Sequence, residues 1–206
     1  LLVPAIIAVP RASDSGDAED RGESVVRIEV APSSEIPGFY LRQLKRSDVV
    51  EWYAYLSLPT VVEHTSWNLR GPNDLQALYD SCESQAPESP CRLAIVDEEA
   101  NRLIGTIGFH AISDVNRSGE LAFDFAPDYW GRGIGSAMCR TVTQWSYLAL
   151  NFVRVQATVL QTNLASERVL HKCGFTYEGL LRGYRMVRGS PGDFKMYSRL
   201  VTDPMS

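Results

Sequence analysis

Pro127-Asp-Tyr-Trp-Gly-Arg-Gly-Ile-Gly135 is the stretch on which the reading of this chain turns. It follows a strand-like run, residues 120–125, whose Leu121, Phe123 and Phe125 share one face, and it opens a helix-like run, residues 134–148. Glycine inside a helix costs about 0.5–1 kcal/mol relative to alanine, yet Gly131, Gly133 and Gly135 crowd the first turn. Arg132 adds a cation where the helix dipole disfavours one. Both oddities make sense in an anion cradle: glycines let main-chain N–H groups approach a phosphate closely, and the guanidinium helps neutralise it. Taken alone, the segment also fits a turn with no ligand. The familiar nucleotide patterns do not apply. No Gly-Lys-Ser/Thr follows, the glycine spacing is G-x-G-x-G, and no acidic residue ends the next strand about 20 residues on.

Outward from this turn, the rest of the chain has the make-up of one globular domain. Its 206 residues suffice for a sizeable core, and 45% hydrophobic with 22% charged residues is an ordinary balance. A net charge of −5, without any Lys/Arg cluster interleaved with aromatics, argues against a nucleic-acid partner. Cys82, Cys91, Cys139 and Cys173 form no C-x-x-C pair and only three histidines exist, so neither a metal site nor a disulfide framework is expected. Reduced thiols and a cytoplasmic location are the simplest expectation. Residues 1–10 are apolar but lack a basic leader and the length to span a membrane. Residues 11–24 are rich in Asp, Glu, Gly and Ser and read as a linker. Segment 1–36 is accordingly expected to be disordered or artefactual, and 37–203 to form the domain.

Hydrophobic periodicity places the remaining elements. Residues 39–44 read as a strand, and Ser47-Asp48 as the cap of a helix carrying Val50, Trp52, Tyr53 and Leu56 that Pro59 stops. A second helix is expected from Asn73 or Asp74 towards Ser84, followed by a proline-rich loop over 86–90. Residues 92–96 and 103–109 flank Asp97-Glu-Glu-Ala-Asn101 as a hairpin. The helix after the glycines carries the stripe Ile134, Met138, Thr141, Trp145 and Leu148. Residues 152–160 form a strand with Val153, Val155, Ala157 and Val159 inward. A short helix over 163–173 ends at Gly174, and the last two strands pair around residues 189–193. The order implies an α/β or α+β fold with a largely antiparallel sheet.

Three blocks in this order resemble the GNAT acetyltransferase superfamily. Phe123-Asp-Phe-Ala-Pro-Asp-Tyr-Trp-Gly-Arg-Gly-Ile-Gly135 resembles its acetyl-coenzyme A signature, and Trp130-Gly-Arg-Gly is similar to the RimJ/RimL-type branch. Asn163-Leu-Ala-Ser-Glu-Arg-Val-Leu-His-Lys-Cys-Gly-Phe175 looks like that branch's N-x-x-S…G-F segment, and Tyr177-Glu-Gly-Leu-Leu-Arg182 with Asp193-Phe-Lys-Met-Tyr-Ser198 looks like its closing hairpin. The likeness runs from about Tyr40 to Leu200 and implies a mixed, mostly antiparallel sheet splayed between its fourth and fifth strands, flanked by helices.

The resemblance further implies direct transfer of acetyl from acetyl-CoA, as co-substrate, to an amine. Main-chain groups of Gly131, Arg132, Gly133, Ile134, Gly135 and Ser136 would hold the phosphates. Main chain of Phe123, Asp124 and Phe125 would align the pantetheine, and a free N–H near Phe125 is a candidate oxyanion donor. Asn163 would contact the pantetheine arm and Ser166, three residues on, would protonate the leaving thiolate. Asn163 as a helix cap and Ser166 as a surface hydroxyl fit the same spacing. The Tyr that many members carry four residues after the Ser is Leu170 here. The base is open: the superfamily's Glu position is Gly119, a hairpin acid of some relatives is Arg185, and Glu120, Asp124 or His110 behind a water relay are the candidates.

Poor basic equipment bears on the acceptor. Deprotonating an α-amine of pKa near 8 costs about 1–1.4 kcal/mol at pH 7, against about 4.6 kcal/mol for a lysine side chain. A protein or peptide α-amine is therefore the expected acceptor, in line with the branch's link to N-terminal acetylation. A small amine such as a polyamine or aminoglycoside, and a non-catalytic acetyl-CoA binder, are the alternatives. No nucleic acid or membrane partner is expected, and the chain would act as a monomer or homodimer.

Overall fold

The computed structural model describes residues 31–83 and 88–204. Most of the expected N-terminal segment, 1–30, and Ala86 and Pro87 of the proline-rich loop lie outside the described residues. Ala31 and Ile36, at the end of that segment, pack against the main core.

Seven strands form one sheet: β1 (Phe39–Gln43), β2 (Cys91–Asp97), β3 (Arg102–Ser113), β4 (Ser118–Phe125), β5 (Arg154–Leu160), β6 (Thr176–Val187) and β7 (Ser190–Leu200). Their order is β1-β2-β3-β4-β5-β7-β6, every pairing antiparallel except β4 with β5. The single parallel pair is short, joining only Ser118, Gly119 and Glu120 to Arg154, Val155 and Gln156. Beyond Glu120 the two strands part, which is the splay expected between the fourth and fifth strands.

Both faces of the sheet are covered. The helices are α1 (Asp48–Leu56), α2 (Pro59–Val62), α3 (Pro72–Glu83), α4 (Ile134–Ala149) and α5 (Leu164–Lys172). Leu93 and Ile95 of β2 enter the larger core with Ile134, Met138 and Val142 of α4. Ala94 and Val96, their neighbours, enter a second core with Trp52 and Leu56 of α1 and Leu75 of α3. Burial on both sides explains why residues 93–96 of β2 are a continuous apolar run rather than an alternating one.

Several local expectations need correction. The buried face of α1 is Val49, Trp52, Tyr55 and Leu56, while Val50 is exposed. Ser47 makes no side-chain cap; Asp48 accepts from the Lys45 N–H at 2.7 Å and pairs with Arg42. Pro59 opens α2 instead of merely ending α1, since proline suits the first helical turn. Leu148 is 87% exposed; at this end of α4 the inward positions are Ser146, which is buried, and Trp145 and Tyr147, which pack against the core. Val153 is only half-buried, its place in the core taken by Phe152. The last hairpin turns on two residues, Arg188 (φ 49°) and Gly189 (φ 86°), so residues 190–193 already belong to β7. By contrast, α5 ends as expected, with Gly174 at φ 74°.

Candidate active site

The splay between β4 and β5 is where the structure opens. On one side lies a cavity of about 360 Å³ lined by Phe123, Asp124, Phe125, Gly131, Gly133, Gly135 and Ser136, with Arg168 and Lys172 from α5. On the other lies one of about 410 Å³ that includes His110, Arg185, Trp67 and Phe194. Phe123, Asn163, Ser166, His64 and Thr65 line both, so the two cavities meet at the end of the parted strands.

The first cavity has the features of an anion cradle. Gly133 is the cap of α4 at φ 80° and Gly131 lies at φ 74°, a region L side chains enter only with strain. The first helical bond is Ala137 N–H to Gly133 C=O, at 3.2 Å. The N–H groups of Ile134, Gly135 and Ser136 thus have no partner within the helix and are free to face a ligand. Ile134's side chain is buried in the core, leaving only its main chain for the cradle. Arg132 does not line the cavity; its guanidinium stacks over the Tyr129 ring at 5.0 Å. The cations that do line it, Arg168 and Lys172, escaped sequence reasoning because on a helix they read as ordinary surface charge.

Along the gap, residues 121–125 of β4 have no β5 residue opposite. Ala126 donates to Ile104 on the β3 side, so alternation turns the Phe123 and Phe125 N–H groups towards the gap. The Trp130 indole takes the Phe125 carbonyl at 2.9 Å, closing the end of the strand. Asp124 faces the opposite way. Its carboxylate, buried under α1, accepts from Arg92 (2.5 Å), Tyr55 (2.5 Å), Thr106 (2.9 Å) and Trp52 (3.2 Å). Burial, and after it the Asp124 charge, push the Tyr55 hydroxyl well above its ordinary range. Asp124 is thus held as the buried counter-ion of Arg92.

Asn163 does cap α5: its Oδ1 accepts from the Ser166 N–H at 3.0 Å. Its Nδ2 donates to the His64 carbonyl at 2.9 Å, tying α5 to the α2–α3 connection that roofs both cavities. Ser166 keeps a hydroxyl with no partner among the described residues, at the junction. Arg188, in its left-handed turn position, holds the same roof. It donates to the Val62, Thr65 and Glu63 carbonyls at 2.7, 3.0 and 3.3 Å, and its N–H bonds Asn68 Oδ1. No local pattern marks this 120-residue span in sequence.

Gly119 faces the core: a Cβ there would sit 2.5 Å from Phe152 and 2.7 Å from Phe109, so no carboxylate fits the superfamily's position. Glu120 turns towards His110 and Arg185, which line the second cavity, but itself lines neither cavity. It bonds Thr158 (2.5 Å) and Arg185 (2.9 Å), with His110 Nε2 at 3.3 Å. Burial pushes its pKa up, but the hydrogen bond and charge of His110, the Thr158 hydroxyl and the Arg185 charge outweigh this and hold it at about 2. Such a carboxylate is a poor base. A folded pKa below the ordinary 4.5 means stability present above pH 4.5 and lost as pH falls towards 2. On the order of 3 kcal/mol should disappear over that window, and Glu120→Gln should flatten it in acid-unfolding curves followed by circular dichroism.

His110 sits at a β-bulge. Phe109 pairs Leu121 and Ala111 pairs Glu120, leaving His110 as the extra residue of β3, lining the second cavity. A second bulge, between Leu181 and Arg185 in β6, brings Arg185 to the same cavity.

The fold and its split sheet define the class, and comparison with known proteins defines the family. The chain matches the acetyltransferase (GNAT) domain over residues 39–176. It is 30% identical over 171 residues to the uncharacterised N-acetyltransferase YoaA of Bacillus subtilis (strain 168), covering 81% of this chain and 96% of that protein. Among solved structures, ribosomal-protein-S5-alanine acetyltransferase from Vibrio fischeri superposes with a TM-score of 0.72 at 20% identity, covering 83% of this chain and 97% of that one. Spermidine N-acetyltransferase from Vibrio cholerae, in complex with CoA and spermine, gives 0.69 at 22% identity over 79% and 95%. The chain belongs to the GNAT acetyltransferase family and is an N-acetyltransferase.

Proposed function

We propose that this chain transfers the acetyl group of acetyl-CoA to the α-amino group of a protein or peptide. The observation that carries the reading is the meeting of two cavities at Phe123 and Ser166: one has a glycine-lined anion cradle, the other has none. Acetyl-CoA supplies the acyl group as a thioester. The N–H groups of residues 134–136, with Arg168 and Lys172, bind its phosphates, and the open edge of β4 aligns its pantetheine. The N–H of Phe125 faces the gap as the oxyanion donor. Ser166 delivers a proton to the departing sulfur.

With Glu120 held at about 2 and no Asp or Glu lining the second cavity among the described residues, a lysine-like amine lacks a carboxylate base there. His110, on the acceptor side, takes the proton of a less basic amine directly or through water. This supports an α-amine, whose deprotonation costs little at neutral pH. The likeness to a spermidine acetyltransferase keeps a polyamine as the second reading.

Thiol release measured over a panel of peptides, spermidine and aminoglycosides tests the acceptor; turnover on the small amines alone would overturn the peptide reading. Ser166→Ala should lower kcat by about tenfold or more, with coenzyme affinity by calorimetry near that of the parent chain. An unchanged kcat would remove Ser166 from the chemistry.

A further inference from the structure

Resting on the transfer reading above, the electrostatics of the acceptor cavity narrow the substrate class. Among the described residues no Asp or Glu lines it, whereas Arg92 and Arg185 do. Arg92 is committed: its side chain is 4% exposed and bound to Asp124 and Thr106. Arg185 is not. Its side chain is 33% exposed, and only Nη2 is engaged, with Glu120 and His110. Nε and Nη1 have no hydrogen-bond partner among the described residues. The guanidinium lies near the Tyr184 and Phe194 rings, 4.9 and 5.6 Å from their centroids, so it is pre-positioned rather than free to swing.

The placement of the two charges matters. Glu120 anchors Arg185 from behind, with 7% of its side chain exposed and no part in the lining, so the cavity meets the cation and not its counter-ion. A polyamine in this space would meet the exposed Arg185 guanidinium and no lining carboxylate among the described residues, an arrangement that disfavours cations. A carboxylate would meet an unused Nη1 donor on a guanidinium already held in place, and could accept a charge-assisted hydrogen bond from it.

We propose that Arg185 is a specificity-determining residue and that the acceptor is an amine bearing a nearby carboxylate, such as a peptide beginning with an acidic residue. Aspartate against asparagine at the first position isolates the charge, because the two side chains are nearly isosteric. The parent chain should acetylate the Asp peptide with a kcat/KM about 10- to 100-fold above the Asn peptide, the span of one charge-assisted hydrogen bond. Arg185→Gln should bring the ratio to about one. Calorimetric coenzyme affinity and a thermal melt report whether that variant stays folded. Should it not fold, Arg185→Lys keeps a cation for Glu120 while losing the fixed Nη1 donor, and should show an intermediate ratio.

Free aspartate against free asparagine distinguishes the source. Acid-selective turnover of the free amino acid alone supports the anionic acceptor and rejects the peptide. Asp and Asn peptides within about twofold of each other, or spermidine used as well as the Asp peptide, would overturn the proposal while leaving acetyl transfer intact. Coenzyme binding with no amine turned over would remove the transfer reading and this inference with it.

Discussion

Gly133→Glu is expected to raise the dissociation constant for CoA by about 100-fold, measured by calorimetric titration. Space is not the reason, since a Cβ at Gly133 meets nothing within 4 Å. Two other effects are. The residue caps α4 at φ 80°, where an L side chain costs about 1–3 kcal/mol in backbone strain. The added carboxylate also sits at the positive end of a 16-residue helix, where it competes with the phosphates for the same N–H groups. Gly133→Ala carries the strain without the charge and should weaken binding far less. Affinity of the Glu variant within about threefold of the parent would move the phosphates away from this turn.

Asp124→Ala should lower the unfolding free energy by about 3–5 kcal/mol, read as a lower midpoint in urea. The cost is not the loss of one attraction. Arg92, with 4% of its side chain exposed, would be left as a buried cation without a counter-ion, and the Trp52, Tyr55 and Thr106 donors would lose their acceptor. Asp124→Asn keeps the shape and some hydrogen bonds, and should fall between. A variant that lost turnover at unchanged stability would instead make Asp124 a chemical participant. The two substitutions also separate the cradle from the scaffold behind it: the first should act on binding, the second on folding.

Asp124 shows where reading the chain by itself stops. Its place in β4 fixes its main chain beside the gap between β4 and β5, but period-two alternation does not say what the far face holds. Four partners from α1, β2 and β3 converge there, separated in sequence by 18 to 72 residues. Glu120 and His110 make the same point. Alternation places Glu120 off the face used by Gly119, yet only the β3 bulge brings His110 beside it, and only the β6 bulge brings Arg185. Bulges are one- or two-residue irregularities without a periodic signature, so the sequence did not place His110 and Arg185 beside Glu120.

What the chain determined alone was local and periodic. The glycine turn, the helix that follows it, the Asn163 cap and the Gly174 stop depend on residues within one or two turns of each other, and backbone conformation at those glycines and that cap is a property of the residues themselves. Tertiary structure alone decided the electrostatics. Whether Arg168 and Lys172 face a cavity, whether Glu120 is a base or a counter-ion, and whether Arg188 grips the roof all depend on distances between remote segments. Charge interactions fall with distance and burial, and neither quantity is written in the order of residues.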